Sequence, residues 1–463
     1  MSNRHRITKA TRRTTKRVSV EGSLPLLRPN AAGIDVGAEE HYVSVPADRD
    51  SESVQRFGCY TSELRRMAEW LKACRIETVA MESTGVYWVP VFEVLEEYGF
   101  EVYLVDARQT KNVSGRKTDV VDCQWIRQLH SYGLLSAAFR PAQEIAAMRA
   151  YWRHRQGLVE SCTRQIQLMQ KALEQMNVQL HKAVSDVTGV TGLSILRRIV
   201  AGDRDPKALA TMRQRGIRRS EEEIAEALNG NYRDEHVFAL AQAVEGYDFL
   251  QGQIERCDRE IQQCMTGIAT KISPPLESKR SSRQRAKNQP HFDLRGELHR
   301  IAGVDLTRIE GIDALTAQTV ISECGVDMTR FPSDKNLASW LGLCPNNKKT
   351  GGRIRSRRTK RIKNRAADAL RRAAQTLHHS KSALGAEYRR LRARLGAPKA
   401  ITAMAHKLAR LIYRLLKHGE AYVSEGLEQY ETRHHERALR SLNYQAQELG
   451  YELVLRATGE VVS

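Results

Sequence analysis

The sequence predicts an α/β domain at the N-terminus, a central helical coiled-coil region and a basic, mainly α-helical C-terminal domain. Three observations predict it. Strands and helices alternate between residues 31 and 106, apolar residues recur every three or four positions between 158 and 264, and the stretch from about 297 to 425 is rich in Lys and Arg.

Taken in order, residues 1–30 begin MSNRHRITKATRRTTKRVSV, a basic run with no apolar core behind it. It reads as a disordered arm along phosphates or as a solubilising tail, and not as a secretory signal. Residues 31–46, AAGIDVGAEEHYVSVP, read as a strand, a Gly turn and a returning strand. A helix pattern follows near 62–74, then the buried strands ETVAMES (77–83) and FEVYLVD (100–106), with the helix WVPVFEVLEEYG between them. Such alternation builds a sheet with helices packed on it, which places a domain at 31–140.

Beyond Pro141 the pattern turns helical. Cys162, Ile166, Met169, Leu173, Met176, Leu180 and Val184 trace one seam, and Phe238, Leu240, Val244, Leu250, Ile254, Cys257, Ile261 and Cys264 trace a second. The seams pair with each other or with a second subunit; region 141–270 is read as coiled coil and as the natural site of dimerisation. The charged segment 202–236 reads as shorter helices. KISPPLESKRSSRQRAKNQPH (271–291) lacks periodicity and marks a linker over 271–296, followed by the basic domain 297–425 and a helical tail, 426–463.

The chain of 463 residues carries 74 basic against 54 acidic side chains, a formal net charge of +20. That field favours a polyanion, of which nucleic acid is the commonest. No stretch approaches the roughly 20 apolar residues of a membrane span. The cysteines at 59, 74, 123, 162, 257, 264, 324 and 344 form no C-x-x-C pair, which argues against structural zinc and a disulfide framework and fits a reducing cytoplasm.

Four carboxylates stand where metal chemistry needs them. Asp35 lies mid-strand in G-I-D-V-G, where a charge facing a sheet core is costly unless paired. Glu82 ends the strand V-A-M-E-S, and Asp119 and Asp122 in K-T-D-V-V-D share one face of a helix. Singly each has a plain explanation: a strand-end turn or phosphate loop, a helix cap, a solvated helix face. Jointly they can converge on hard Mg²⁺ or Mn²⁺, and two such ions stabilise the attacking and leaving oxygens of a phosphodiester displacement.

G-I-D-V-G, M-E-S-T-G-V-Y-W and K-T-D-V-V-D, in this order, resemble the DEDD transposases of bacterial insertion sequences, the IS110 family. The resemblance continues through I-E-G-I-D-A-L-T-A (309–317), L-A-S-W-L-G-L-C-P (337–345), T-G-G (350–352) and N-R-A-A-D-A-L-R (364–371). It implies a RuvC-like N-terminal domain of ribonuclease H fold with Asp35, Glu82, Asp119 and Asp122 as the metal-binding tetrad. It implies a nucleophilic serine in the C-terminal transposase domain, which forms a covalent link to DNA. The motif runs from a Pro to Ser-Gly; here Pro345 is followed by Thr350-Gly351-Gly352, so Thr350 is the positional match and departs from serine, with Ser356 as the fallback. It further implies double-stranded DNA partners (element ends and target), a structured non-coding guide RNA, and a cytoplasmic, nucleoid-associated setting.

Read on its own terms, I-E-G-I-D-A-L-T-A has the form of a helix-hairpin-helix turn or of a plain helix connection. In the first reading Gly311 makes the tight turn and Thr-Ala opens a helix whose N–H groups face a phosphate. From Lys348 to Arg365, ten of eighteen residues are basic and none is acidic: Lys348, Lys349, Arg353, Arg355, Arg357, Arg358, Lys360, Arg361, Lys363 and Arg365. Such density repels itself unless phosphates neutralise it, and scarce aromatics favour backbone tracking over base stacking. His406 reads as a packed histidine; His378-His379 and His434-His435 receive no role.

Three functions are compatible with these features. The first is a transposase or recombinase, which needs a dimer or larger homo-oligomer to cut both strands. The second is an actin-like ATPase, for which no second Gly-rich phosphate loop is found, and the third is a non-catalytic nucleic-acid-binding protein descended from a transposase.

Overall fold

The computed structural model describes residues 25–83, 85–110, 119–272, 288–360, 362–419, 432, 435–437 and 439–454. Most of the basic arm, of the linker and of the tail beyond residue 419, together with Arg361 and His434, lies outside the described residues. The chain divides into two compact units, residues 1–140 and 141–463. Among the described residues no helix is long and apolar enough to cross a membrane.

The first unit is a five-stranded mixed sheet of order β3-β2-β1-β4-β5. Its strands are β1 (Ala31–Val36), β2 (Glu40–Ser44), β3 (Val54–Gly58), β4 (Thr78–Glu82) and β5 (Glu101–Val105). β1, β2 and β3 form an antiparallel meander, while β4 and β5 run parallel to β1. The parallel strands need crossovers, supplied by α1 (Thr61–Ala73) and α2 (Trp88–Glu97). Covered on both faces, β1 reads as a continuous apolar run, and Asp35 is its one residue that is not buried.

One face of the sheet packs Ile34, Phe57 and Met81 against Leu64, Met67 and Leu71 of α1 and Leu95 of α2. The short helix α3 (Ala107–Thr110) and α4 (Asp119–Ser131) follow β5, and α4 crosses β1, β2 and β4. On that second face Ala80 and Val105 meet Ile126 and Leu135. Behind them His130 is wholly buried, its Nε2 lying 2.9 Å from the Thr78 hydroxyl. Thr78 already donates its proton to the Glu101 carbonyl at 3.0 Å, so the histidine Nε2–H is the donor. His130 Nδ1 has no hydrogen-bond partner among the described residues, and burial, aided by the charge of Arg28, lowers its pKa to about 4.

The second unit is helical. α5 (Gln143–Gln175) and α10 (Asp234–Thr266), 33 residues each, form a long hairpin. Gln251 meets Cys162 while Asp258 meets Arg155, so position rises on one helix as it falls on the other and the pair is antiparallel. The two apolar seams face each other: Met169, Leu173 and Met176 pack with Leu240, Val244 and Ile254, whereas Phe238 points to solvent. The seams therefore pair with each other within one chain, one of the two pairings that the sequence allowed. The short helices α6 (Leu180–Ala183), α7 (Val190–Val200), α8 (Pro206–Ala210) and α9 (Glu221–Ala227) join the far ends of the hairpin and share its core.

At the near end the Arg155 guanidinium and the Asp258 carboxylate form a buried ion pair. Trp152 donates to Thr319 at 3.1 Å and Arg153 holds Glu323 through two bonds of 2.8 and 2.6 Å. These contacts tie α5 to the last bundle: α11 (Leu294–Ala302), α12 (Ala314–Cys324), α13 (Asp334–Trp340), α14 (Arg365–Thr376), α15 (Ala383–Leu395) and α16 (Ala397–His418). α16 packs on α13, α14 and α15, and small residues of α14 (Ala366, Ala369, Ala373) permit close approach. His406 is half-buried on α16, and burial lowers its pKa. The region 297–425 is not helical throughout: β6 (Lys348–Thr350) and β7 (Arg353–Ser356) form a two-stranded antiparallel hairpin within it.

Candidate active site and nucleic-acid interface

In the first unit the acids gather at one edge of the sheet. Ile34 of β1 is in register with Met81 of β4, one residue before Asp35 and Glu82 respectively. The two carboxylates therefore leave adjacent strands side by side, with backbones about 4.8 Å apart. Strand alternation sets their direction. Gly33 lies against α4 and Ala80 packs on Ile126 of α4, so Asp35 and Glu82, two residues on from each, face the same side.

That side is covered by the helix whose first turn holds the other two acids. Asp119 is exposed and Asp122 half-buried, both in the opening turn of α4. Gly33 fixes how near the helix comes, because a Cβ there would overlap the Arg127 amide nitrogen and the Cys123 carbonyl oxygen. The Cys123 thiol, one residue after Asp122, is pushed up to about 12, first by burial and then by the negative charge of Asp35. A charge on β1 is thus felt in the first turn of α4.

Glu82 is held from the other direction. Thr110, at the end of α3, donates its hydroxyl to Glu82 Oε2 at 3.1 Å, and its carbonyl accepts the Trp125 indole N–H of α4 at 3.2 Å. Ser83 seals the strand end through its N–H and hydroxyl, both on the Val105 carbonyl. Among the described residues no three Asp, Glu, His or Cys side chains stand close enough to share one metal ion. The all-oxygen donor set still matches a hard divalent cation. Sequence reasoning passed over Asp106, which follows β5 at the same edge, since Glu82 is paired with Val105. Its place at the end of a parallel strand was the available signal.

In the second unit Thr350 and the basic run occupy the β6–β7 hairpin. Gly351 and Gly352 both take positive φ, 56° and 76°, the conformation of a tight two-residue hairpin turn. Thr350 pairs with Arg353 directly across that turn and is exposed. Ser356 ends β7, is half-buried and accepts the Arg358 N–H at 3.3 Å. The base is tied by a Pro345–Thr359 bridge and by the Asn346 N–H on the Arg358 carbonyl at 2.9 Å. Lys348, Lys349, Arg353, Arg355, Arg357, Arg358, Lys360 and Lys363 are all exposed, and among the described residues none has an ion pair. Arg365 opens α14 and donates to Gln156 of α5 at 2.9 Å.

The 309–317 segment departs from its expected form. Gly311 does make the turn, with φ +85° and close approach to the Ala373 carbonyl. The helix after it opens at Ala314, however, not at Thr316, and the Asp313 carboxylate caps it by accepting the Thr316 N–H at 2.8 Å. An acid stands where a phosphate was expected. The adjoining cleft, about 870 Å³, is lined by Glu160, Asp313 and Asp368 as well as by Arg155, Arg365 and Arg372, so acids face any phosphate that its cations would draw in. His378 and His379 meet edge to face, and Arg392 lies against the His378 ring.

Comparison with known proteins bears on both units. A family model described as transposase, of the DEDD IS110 type, matches residues 32–178, and one described as transposase IS116/IS110/IS902 family matches residues 305–389. No curated protein matches the chain. The two models together cover half of the sequence and include both the acidic edge and the basic hairpin. The chain belongs to the IS110 family of transposases.

Proposed function

We propose that this transposase excises and integrates DNA by metal-dependent strand cleavage and rejoining, with a protein hydroxyl linked covalently to the cut strand. The observation that carries the reading is the placement of Asp35 and Glu82 on adjacent central strands, under the helix that bears Asp119 and Asp122. The strand order β3-β2-β1-β4-β5, with its antiparallel meander and two parallel strands, supports a ribonuclease H-like, RuvC-like domain.

In this reading Asp35, Glu82, Asp119 and Asp122 hold Mg²⁺ or Mn²⁺, which when bound stabilises charge on the attacking and leaving oxygens. The carboxylates repel one another until a cation neutralises them, so closure of the set is a state that the ion itself favours. The braces on Glu82 and the Gly33 contact keep three strands and a helix positioned while it does so.

The nucleophile comes from the hairpin. Thr350 stands exposed beside the turn, whereas the Ser356 hydroxyl is half-buried at the base, so Thr350 is the first choice and Ser356 the second. The hydroxyl oxygen bonds to phosphorus as the P–O bond to one deoxyribose breaks, and the departing deoxyribose oxygen takes up the proton that the protein hydroxyl gives up. One phosphoester replaces another, and rejoining therefore needs no nucleotide cofactor. By family resemblance an element-encoded structured RNA selects the DNA partners. Cutting two duplexes calls for a homo-oligomer.

The test is excision in cells, with the gene expressed in its native flanking DNA and a circular junction sought by PCR. Wild type is expected to give the junction and Asp119→Asn to abolish it. A junction from both removes the tetrad assignment; none from either leaves a non-catalytic DNA-binding descendant as the reading. Thr350→Val and Ser356→Ala, assayed for a protein–DNA adduct on denaturing gels, decide between the hydroxyls.

A further inference from the structure

We propose that the β6–β7 hairpin is a ribbon that enters the major groove of double-stranded DNA, with its Lys349–Ile354 face toward the bases. The proposal deepens the DNA reading above by naming the form of nucleic acid the basic run meets, and it rests on that reading.

Four features of the hairpin lead there. First, it projects. From the bridged base at Pro345 to Thr350, just before the Gly351–Gly352 turn, the chain advances five residues, about 17 Å at strand rise. A Cβ at either glycine would meet nothing within 4 Å, so among the described residues nothing packs on the tip. Second, the shape fits. A B-form major groove, about 12 Å wide and 8.5 Å deep, admits a two-stranded ribbon, and the reach exceeds the depth. The major groove of an A-form RNA helix is too narrow and deep for side chains to read.

Third, the charge is unspent. Lys348, Lys349, Arg353, Arg355, Arg357 and Arg358 are exposed, and among the described residues none has an ion pair. Fourth, one residue breaks the polar pattern. Ile354 is 40% exposed and pairs across the ribbon with Lys349, on a hairpin with no core to enter. Backbone tracking needs no isoleucine, whereas an apolar contact to a thymine methyl does, and that methyl lies in the major groove. With this face inward, Thr350 and Arg353 occupy the outer face, where backbone phosphates flank the groove.

Dimethyl sulfate tests the placement, because it methylates guanine N7 in the major groove and adenine N3 in the minor groove. Full-length protein would be bound to duplex DNA and to duplex RNA of the same sequence, as wild type, as Ile354→Thr and as the triple variant Lys349→Gln, Arg353→Gln, Arg355→Gln. The wild type is expected to protect guanine N7 on DNA, and both variants to lose that protection. The triple variant should lower the slope of log affinity against log salt by about 2 to 3, while Ile354→Thr, which alters no charge, leaves it unchanged. Protection confined to adenine N3, protection retained in both variants, or an equal loss of affinity for duplex RNA each overturns the proposal, the last in favour of an RNA partner. Its failure is separable from that of the recombination reading. Circular junctions from wild type with N7 protection intact in the variants sink the ribbon alone; expected footprints without any junction sink recombination alone.

Discussion

The acidic edge and the basic ribbon are built in opposite ways. Asp35 and Glu82 stand on strands whose other residues are almost all buried, and each is fixed by its surroundings: Gly33 against α4, Thr110 on Glu82, Trp125 on Thr110. The cations of β6 and β7 stand exposed on three- and four-residue strands. Groups that must share an ion need positions held to fractions of an ångström, so they sit on a rigid sheet. Groups that must follow a long polyanion gain from side chains left free to adapt. Only the first of the two regions is braced.

The largest effect that sharpens this contrast is on chemistry. Asp35→Asn should cut strand cleavage by roughly a hundredfold to a thousandfold, while DNA affinity, measured by anisotropy, stays within a few-fold of wild type. An equal fall in affinity would erase the distinction between chemistry at the edge and binding at the ribbon.

Next comes pH, acting on the brace behind the acids. Well above pH 6.5 the imidazole of His130 is neutral in both folded and unfolded chains. Between 6.5 and about 4 the unfolded chain takes up a proton that the folded one refuses, so stability falls with falling pH by on the order of 3 kcal/mol across that window. Denaturant melts at pH 4.5 and 7 should show this for wild type and a smaller difference for His130→Gln. Equal differences would mean that His130 is not the group responsible.

The smallest effect concerns the helix–strand contact. Gly33→Ala places a methyl group against the backbone of α4, and a loss of about 2 kcal/mol is expected from overpacking. Thermal melting measures it. An unchanged midpoint would show that α4 shifts without cost, and the acids it carries would then be less firmly held than Gly33 implies.

Much of the framework was legible because periodicity reports burial. The runs around Ile34, Met81 and Leu104 became β1, β4 and β5, and the two apolar seams became α5 and α10, except that α5 stops at Gln175 and leaves Leu180 and Val184 of the first seam in and just after α6. Their pairing within one chain was not legible, since a seam records that a face is covered and not by what. The third strand, Val54–Gly58, is short, with a single buried residue, Phe57, and leaves almost no alternation to read. The β6–β7 ribbon was hidden for a related reason: with no core on either face it has no apolar pattern, and only Gly-Gly marks its turn. At 309–317 the glycine was read correctly, but Asp313, two residues on, took the capping place. In the tetrad, residue types and order were visible in the sequence, whereas the shared face of Asp35 and Glu82 depends on strand register, which one sequence does not record.

The α5–α10 hairpin also acts as a strut of fixed gauge. At 33 residues each helix spans about 50 Å, so the small cluster α6–α9 is carried far from the end tied down by Trp152, Arg153 and Arg155. Because the seam repeats about every seven residues, the strut shortens only in whole steps of about 10 Å taken from both helices together. Any other deletion rotates the far cluster about the hairpin axis. Length and angle at its tip are therefore inherited as one quantity, and natural variation in this region should come in paired multiples of seven.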